Sequence, residues 1–126
     1  MILLKSKEEI ERMRAANRIV AEILAEVRGR VRAGVSTAEL DALAEELTRA
    51  KGARPAFKGY TVGGRVFPAS ICISINEEVV HGIPSAGRKL REGDILSIDC
   101  GVTHRGYVGD AAVTIEIGRA SCRERV

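Results

Sequence analysis

The sequence is poor in aromatic residues: two Phe, two Tyr and no Trp among 126 residues. Modules that bind single-stranded nucleic acid stack bases on aromatic side chains, so this class is disfavoured. The net charge is only +3, which predicts no broad basic surface for DNA or for an anionic membrane. We therefore expect partners other than nucleic acid or a membrane.

Long apolar runs and cysteine pairs are also absent. No stretch approaches the roughly 18 apolar residues of a transmembrane helix, and the apolar start Met1–Leu4 is shorter than the roughly 7–15 residues of a signal peptide. Cysteines number three (Cys72, Cys100 and Cys122), without CxxC spacing. An odd count predicts neither a disulfide framework nor a structural zinc site, so we expect free thiols in the cytoplasm.

What is present suits one domain with a substantial core, since 45% of the residues are hydrophobic and 29% are charged. The last segment, Gly118–Val126, differs in composition and has no helix or strand period. It resembles a translated sequencing adapter joined in frame to a shortened gene. We therefore predict a domain over residues 1–117 and a non-native tail over 118–126.

Two amphipathic helices are predicted in the first half. Ser6 with Glu9, and Ser36 with Glu39, form capping-box signatures. The helices should end at Gly34 and Gly52, respectively. Their apolar stripes recur at helical spacing: Ile10, Met13, Val20, Leu24, Val27 and Val31, then Leu40, Leu43, Leu47 and Ala50.

The second half predicts antiparallel hairpins after a loop over 54–68. Ser70–Ile75 alternates as a half-buried strand, with a turn at Asn76–Glu77 and a return strand Val79–His81. Two further strands, Ile95–Val102 and Tyr107–Ile115, flank a turn at 104–106. Helices followed by hairpins predict an α/β fold of the α+β type.

Two carboxylates should meet on the second hairpin. A turn at His104–Arg105 would place Asp99 directly opposite Asp110, whereas a turn at Arg105–Gly106 would make them diagonal neighbours on one face. Facing like charges destabilise a sheet, and a divalent cation would remove that conflict. The alternative is that both are simply solvated, and two carboxylates are too few for a closed metal site.

The first hairpin offers a histidine. With Asn76–Glu77 as its turn, Cys72 would face His81, which precedes the rigid corner at Gly82–Pro84. His81 is a candidate hydrogen-bond donor or proton shuttle, although a lone strand histidine is often structural. Cys72 alone would more often just fill space.

Three segments together resemble bacterial type I methionine aminopeptidase: CISINEEVVHGIP (Cys72–Pro84), LREGDILSIDCGV (Leu90–Val102) and GYVGDAAVTIEIG (Gly106–Gly118). The opening helix and AGVSTAELD are similar too, so the resemblance spans residues 3–118. It implies the N-terminal half of a pita-bread fold with two divalent metal ions, of Co, Mn, Fe or Zn. It also implies removal of the initiator methionine from new polypeptides.

The resemblance also implies roles for individual residues. Asp99 is similar to the first metal-ligating aspartate, and Asp110 to the aspartate that bridges both metals. His81 is similar to the catalytic histidine that contacts substrate. Three residues fall near positions that line the methionine pocket: Phe57, Phe67 and Cys72.

The family's remaining ligands, one histidine and two glutamates, belong to a second half that follows residue 118. We therefore expect the chain to be inactive alone. For the complete enzyme, the resemblance implies a cytoplasmic monomer that acts on polypeptides with N-terminal Met, with transient proximity to the ribosome. Two alternatives stay open: a prolidase-like peptidase of the same fold, disfavoured because the first helix begins at residue 6, and a non-catalytic module that binds peptides or nucleoprotein.

Overall fold

Two helices and seven strands make up the computed structural model, which describes residues 6–59, 61–62, 65–76, 83–118 and 122–125. The elements follow one another along the chain in this order: α1 Lys7–Gly29, α2 Thr37–Ala50, β1 Arg54–Pro55, β2 Thr61–Val62, β3 Arg65–Val66, β4 Ile71–Ile75, β5 Ile95–His104, β6 Tyr107–Ile117 and β7 Cys122–Arg125.

Helix α1 begins as predicted, because the capping box between Ser6 and Glu9 is complete. Its end was predicted wrongly at Gly34. The helix stops at Gly29, where the Arg30 N–H bonds to carbonyls of the last turn. Gly34 instead has a φ of 93° and donates its N–H to the Leu90 carbonyl at 2.8 Å, so this glycine serves a tertiary contact.

The apolar stripe of α1 is buried along its C-terminal half, with Val20, Leu24 and Val27 in the core as predicted. Ile10 lies outside the core with 39% of its surface exposed, so the prediction failed there. The sheet beneath α1 is shorter than the helix stripe, and the first turn projects past the buried region. No described helix is long and apolar enough to cross a membrane.

Helix α2 confirms both predicted ends. The Ser36 side chain accepts the Glu39 N–H at 3.1 Å, and Gly52 follows the helix with a φ of 73°. Leu40 is fully buried, while Leu43 and Leu47 pack at the edge of the core.

The sheet is antiparallel in the order β1-β5-β6-β7, and β4 pairs with the same edge of β5 as β1 does. The predicted strands are confirmed, but β5 and β6 each extend two residues further, to His104 and Ile117. The loop predicted over 54–68 was wrong in part: it contains β1 and the small β2–β3 hairpin. Two-residue strands carry too little alternation to be recognised in a sequence.

A two-residue turn at Arg105–Gly106 joins β5 to β6, and His104 pairs with Tyr107. Both turn residues have positive φ, 51° and 83°, as a tight hairpin turn requires. The register places every even-numbered residue of β5 on the face that α1 covers, and this face forms the core: Leu96, Ile98, Cys100 and Val102.

Strand β7 lies in the segment that was predicted to have no regular structure. Its backbone pairs antiparallel with Thr114–Ile117 of β6. The free edge of β6 offers unpaired N–H and C=O groups to any extended backbone, so pairing there needs little sequence periodicity. The origin of residues 118–126 stays a prediction.

Candidate metal centre

The two predicted carboxylates lie on the open face of the sheet, opposite to the helices. Asp99 of β5 pairs with Ala112, and Asp110 of β6 pairs with Gly101. The aspartates are therefore diagonal neighbours on one face, and the directly opposed arrangement was wrong. The turn at Arg105–Gly106 decides this, because moving the turn by one residue changes each pairing by two.

The carboxylates interact closely enough to hydrogen-bond to each other. Burial raises the pKa of Asp99 to about 7, and the hydrogen bond to Asp110 and its negative charge raise it further toward that value. Oδ1 of Asp99 is buried and has no hydrogen-bond partner among the described residues. A shared proton or a cation would relieve the repulsion between the two groups.

The donor set fits a divalent cation in part. Two adjacent carboxylates and one unpartnered buried oxygen are suitable hard ligands. Within the described part of the chain, however, no group of three or more His, Cys, Asp or Glu gathers that could hold a metal. Since divalent cations take four to six ligands, these residues form part of a site.

Cys72 lies next to this pair. It is half-buried on β4 and is the direct cross-strand partner of Asp99. Burial, together with the negative charges of Asp99 and Asp110, raises the pKa of the Cys72 thiol to about 11. The thiol is therefore neutral near pH 7 and presents a soft, weakly polar surface beside the carboxylates.

The predicted pairing of Cys72 with His81 lies outside the described residues, as do His81 itself and the return strand Val79–His81. Of the predicted turn, only Asn76 is described, and it has a positive φ of 56°. The sequence did not predict that β4 pairs with β5, which brings Cys72 to Asp99.

Phe57 also reaches the carboxylate face. A Cβ added to Gly101 would lie 2.9 Å from the end of the Phe57 ring, so the ring packs directly on this glycine. Gly101 is the cross-strand partner of Asp110, and the ring is therefore a wall next to the pair. Phe67 is buried, and its carbonyl accepts the Gly59 N–H at 2.9 Å, which closes the β2–β3 hairpin between the two phenylalanines.

Two polar residues of α2 were missed. Thr37 hydrogen-bonds with Ser85, and Asp41 caps the start of β4. The signal was present in the sequence, since AGVSTAELD places them one helical turn apart among apolar residues. Their partners were unknown without the tertiary structure.

Together, these features define a class: an α/β protein in which helices cover one sheet face and a carboxylate metal half-site occupies the other. The description of metallopeptidase family M24 matches residues 11–126. The chain belongs to metallopeptidase family M24.

A methionine aminopeptidase from Clostridium acetobutylicum is 55% identical over 121 residues, which are 96% of this chain and 47% of that protein. The chain thus spans about half the length of the curated relatives it matches.

Solved structures agree with the predicted fold class. Methionine aminopeptidase from Thermotoga maritima superposes with a TM-score of 0.85 at 42% identity, covering 94% of this chain and 46% of that one. A prolidase from Pyrococcus furiosus gives a TM-score of 0.76 at 27% identity, covering 91% and 31%. The chain has the N-terminal half of the pita-bread fold that these methionine aminopeptidases share.

Proposed function

We propose that the complete protein is a metalloaminopeptidase that removes N-terminal methionine from new polypeptides, and that this chain supplies half of its active site. The observation that carries the proposal is the hydrogen-bonded Asp99–Asp110 pair with its unpartnered buried oxygen. Its support is the 55% identity to a methionine aminopeptidase over nearly the whole chain.

In this proposal Asp99 and Asp110 hold two divalent cations, with Co, Mn, Fe and Zn as the candidates. A bound divalent cation lowers the pKa of a coordinated water and polarises a carbonyl group. The sheet holds both aspartates on adjacent strands, so they need little reorganisation when a cation arrives.

The neighbouring residues form the substrate side of the site. The neutral thiol of Cys72 and the ring of Phe57 offer weakly polar surface beside the carboxylates, which suits a thioether side chain. Phe67 is assigned to the same methionine pocket by the resemblance. His81 is assigned the catalytic contact to the substrate, where a donor stabilises the charge that develops on the scissile group.

The chain alone should be inactive, because its two described carboxylates are fewer ligands than a divalent cation takes. The remaining ligands come from the further half that relatives possess, since the chain covers 47% of their length. The proposed partners are polypeptides with N-terminal Met, with transient proximity to the ribosome. The proposed setting is a cytoplasmic monomer.

Metal binding by the chain itself is the first test. Calorimetry with Mn²⁺ should show weak binding that disappears in the double variant Asp99→Asn, Asp110→Asn. The matched control is Glu46→Gln with Glu92→Gln, which removes two negative charges from exposed positions. Equal binding in the double aspartate variant and the control would contradict the proposed site.

Activity is tested in the complete polypeptide, with the sequence after residue 117 restored. Release of methionine from Met-Ala-Ser with added Mn²⁺ or Co²⁺ is expected, and Asp110→Asn should abolish it. Cleavage of Xaa-Pro dipeptides without methionine release would favour the prolidase alternative, which the lower TM-score of the prolidase disfavours. Peptide binding without turnover would favour the non-catalytic alternative.

A further inference from the structure

Helix α2 bonds to both ends of the segment that carries Cys72 and His81. Thr37 and Asp41 lie one helical turn apart on α2. Thr37 bonds to Ser85, and Asp41 bonds to Ser70 and Ile71. The segment 70–85 therefore begins and ends on the same helix, although only these two ends and strand β4 are described.

Thr37 fixes the far end of this segment. Its hydroxyl donates to the Ser85 carbonyl at 3.1 Å and accepts the Ser85 N–H at 2.8 Å. The Ala38 N–H donates to the same carbonyl at 3.3 Å. Thr37 is 2% exposed, so its hydroxyl is shielded from water and these bonds replace solvent. A hydroxyl is required here because one group both donates and accepts.

Asp41 fixes the near end. One carboxylate oxygen accepts the Ser70 N–H at 2.8 Å and the Ile71 N–H at 3.0 Å. Burial raises the pKa of Asp41, while the two backbone N–H groups lower it, so the environment values the acceptor more than the charge. Cys72, the partner of Asp99, is the next residue along β4.

The two anchors bracket the residues assigned to substrate. Cys72 is one residue beyond the Asp41 anchor, and His81 is four residues before the Thr37 anchor in the sequence. Four residues reach at most about 14 Å, so the anchor at Ser85 restricts where His81 can lie. Fixing both ends lowers the number of conformations that the segment can adopt.

We propose that Thr37 and Asp41 are positioning residues: they hold both ends of segment 70–85 and thereby aim Cys72 and His81 at the Asp99–Asp110 pair. The proposal rests on the proposed function. It assigns a role in the site to α2, which lies on the opposite side of the sheet from the carboxylates and contacts β4.

The experiment uses the complete polypeptide and two matched pairs of variants. Thr37→Val keeps the shape of the side chain and removes the hydroxyl, whereas Thr37→Ser keeps the hydroxyl. Asp41→Ala removes the acceptor, whereas Asp41→Asn keeps an acceptor oxygen without the charge. For each variant, kcat and KM for Met-Ala-Ser, the affinity for Mn²⁺ by calorimetry and the melting temperature are measured.

Thr37→Val should lower kcat about 10-fold or more, because small displacements of a reacting group cost up to about 100-fold. Asp41→Ala should mainly raise KM, since it releases β4 beside Cys72. Mn²⁺ affinity should stay within about twofold in both, because the aspartates lie on β5 and β6. Thr37→Ser and Asp41→Asn should restore most of the activity.

Unchanged kcat and KM in Thr37→Val and Asp41→Ala, with active wild-type protein, would overturn the positioning role alone. A parallel loss of Mn²⁺ affinity and activity would show a general structural role and would overturn it too. If Thr37→Val fails to fold, the Asp41 pair decides by the same criteria. Inactive wild-type protein would overturn the proposed function together with the proposal that rests on it.

Discussion

The two faces of strand β5 differ sharply, although their residues alternate along one stretch of chain. On the helix-covered face, Leu96, Ile98 and Val102 are fully buried. On the open face, Asp99 and Ser97 face away from the helices beside Gly101. The packed face supplies the burial that stabilises the fold, and this burial lets the open face carry two interacting carboxylates that by themselves destabilise it.

Two glycines extend the comparison, one on each face. A Cβ on Gly109 would lie 2.6 Å from backbone atoms of Ala16, so α1 approaches β6 as closely as it can. A Cβ on Gly101 would lie 2.9 Å from the end of the Phe57 ring. Helix backbone cannot move aside locally, whereas a ring can rotate away. The same missing side chain therefore has different consequences on the two faces.

The largest contrast between the faces is expected from core truncation. Ile98→Ala should destabilise the chain by about 3–4 kcal/mol, because it removes buried methyl groups and leaves a cavity. Ser97→Ala, its neighbour on the open face, is exposed and should change stability by less than about 0.5 kcal/mol. Urea denaturation measures both. Equal losses would show that the helix-covered face does not dominate stability.

The glycine pair gives the next contrast. Gly109→Ala should destabilise by about 2–3 kcal/mol, since backbone of α1 must shift. Gly101→Ala should cost about 1 kcal/mol, because the Phe57 ring can yield. Gly87→Ala serves as a control, as its Cβ would meet only Ser85 Oγ at 3.8 Å. The opposite order in thermal melts would contradict the packing of α1 on β6.

The smallest effect concerns pH and the open face. Because the pKa of Asp99 is about 7 in the folded chain and near 3.8 when unfolded, the folded chain retains a proton that the unfolded chain has released. Metal-free stability is therefore full below about pH 4 and falls as the pH rises toward 7. After discounting for solvent screening, the loss should be about 1 kcal/mol.

Asp99→Asn should remove this dependence and be more stable than wild type at pH 8 without metal. Denaturation curves between pH 5 and 8 measure it, with Glu46→Gln as the control for a lost surface charge. A wild-type curve that stays flat over this range, or one that rises, would show that Asp99 ionises normally and would weaken the open-face comparison.

Sequence patterns predicted the elements that depend on local physics. The capping boxes at Ser6 and Ser36 were confirmed because a cap satisfies backbone donors within four residues. The alternation of Ile71–Ile75 was confirmed because side chains of a strand alternate between faces. The end of α1 was wrong because Gly34 serves a bond to Leu90, which is distant in sequence.

The sequence by itself determined which residues share a face, and hence that Asp99 and Asp110 lie together, because the strand period is a property of the backbone. Only the tertiary structure decided their diagonal offset, the pairing of Cys72 with Asp99, the packing of Phe57 on Gly101 and the anchoring of segment 70–85 by α2. These contacts join residues that are distant in sequence, and their geometry follows from how helices and strands pack rather than from local pattern.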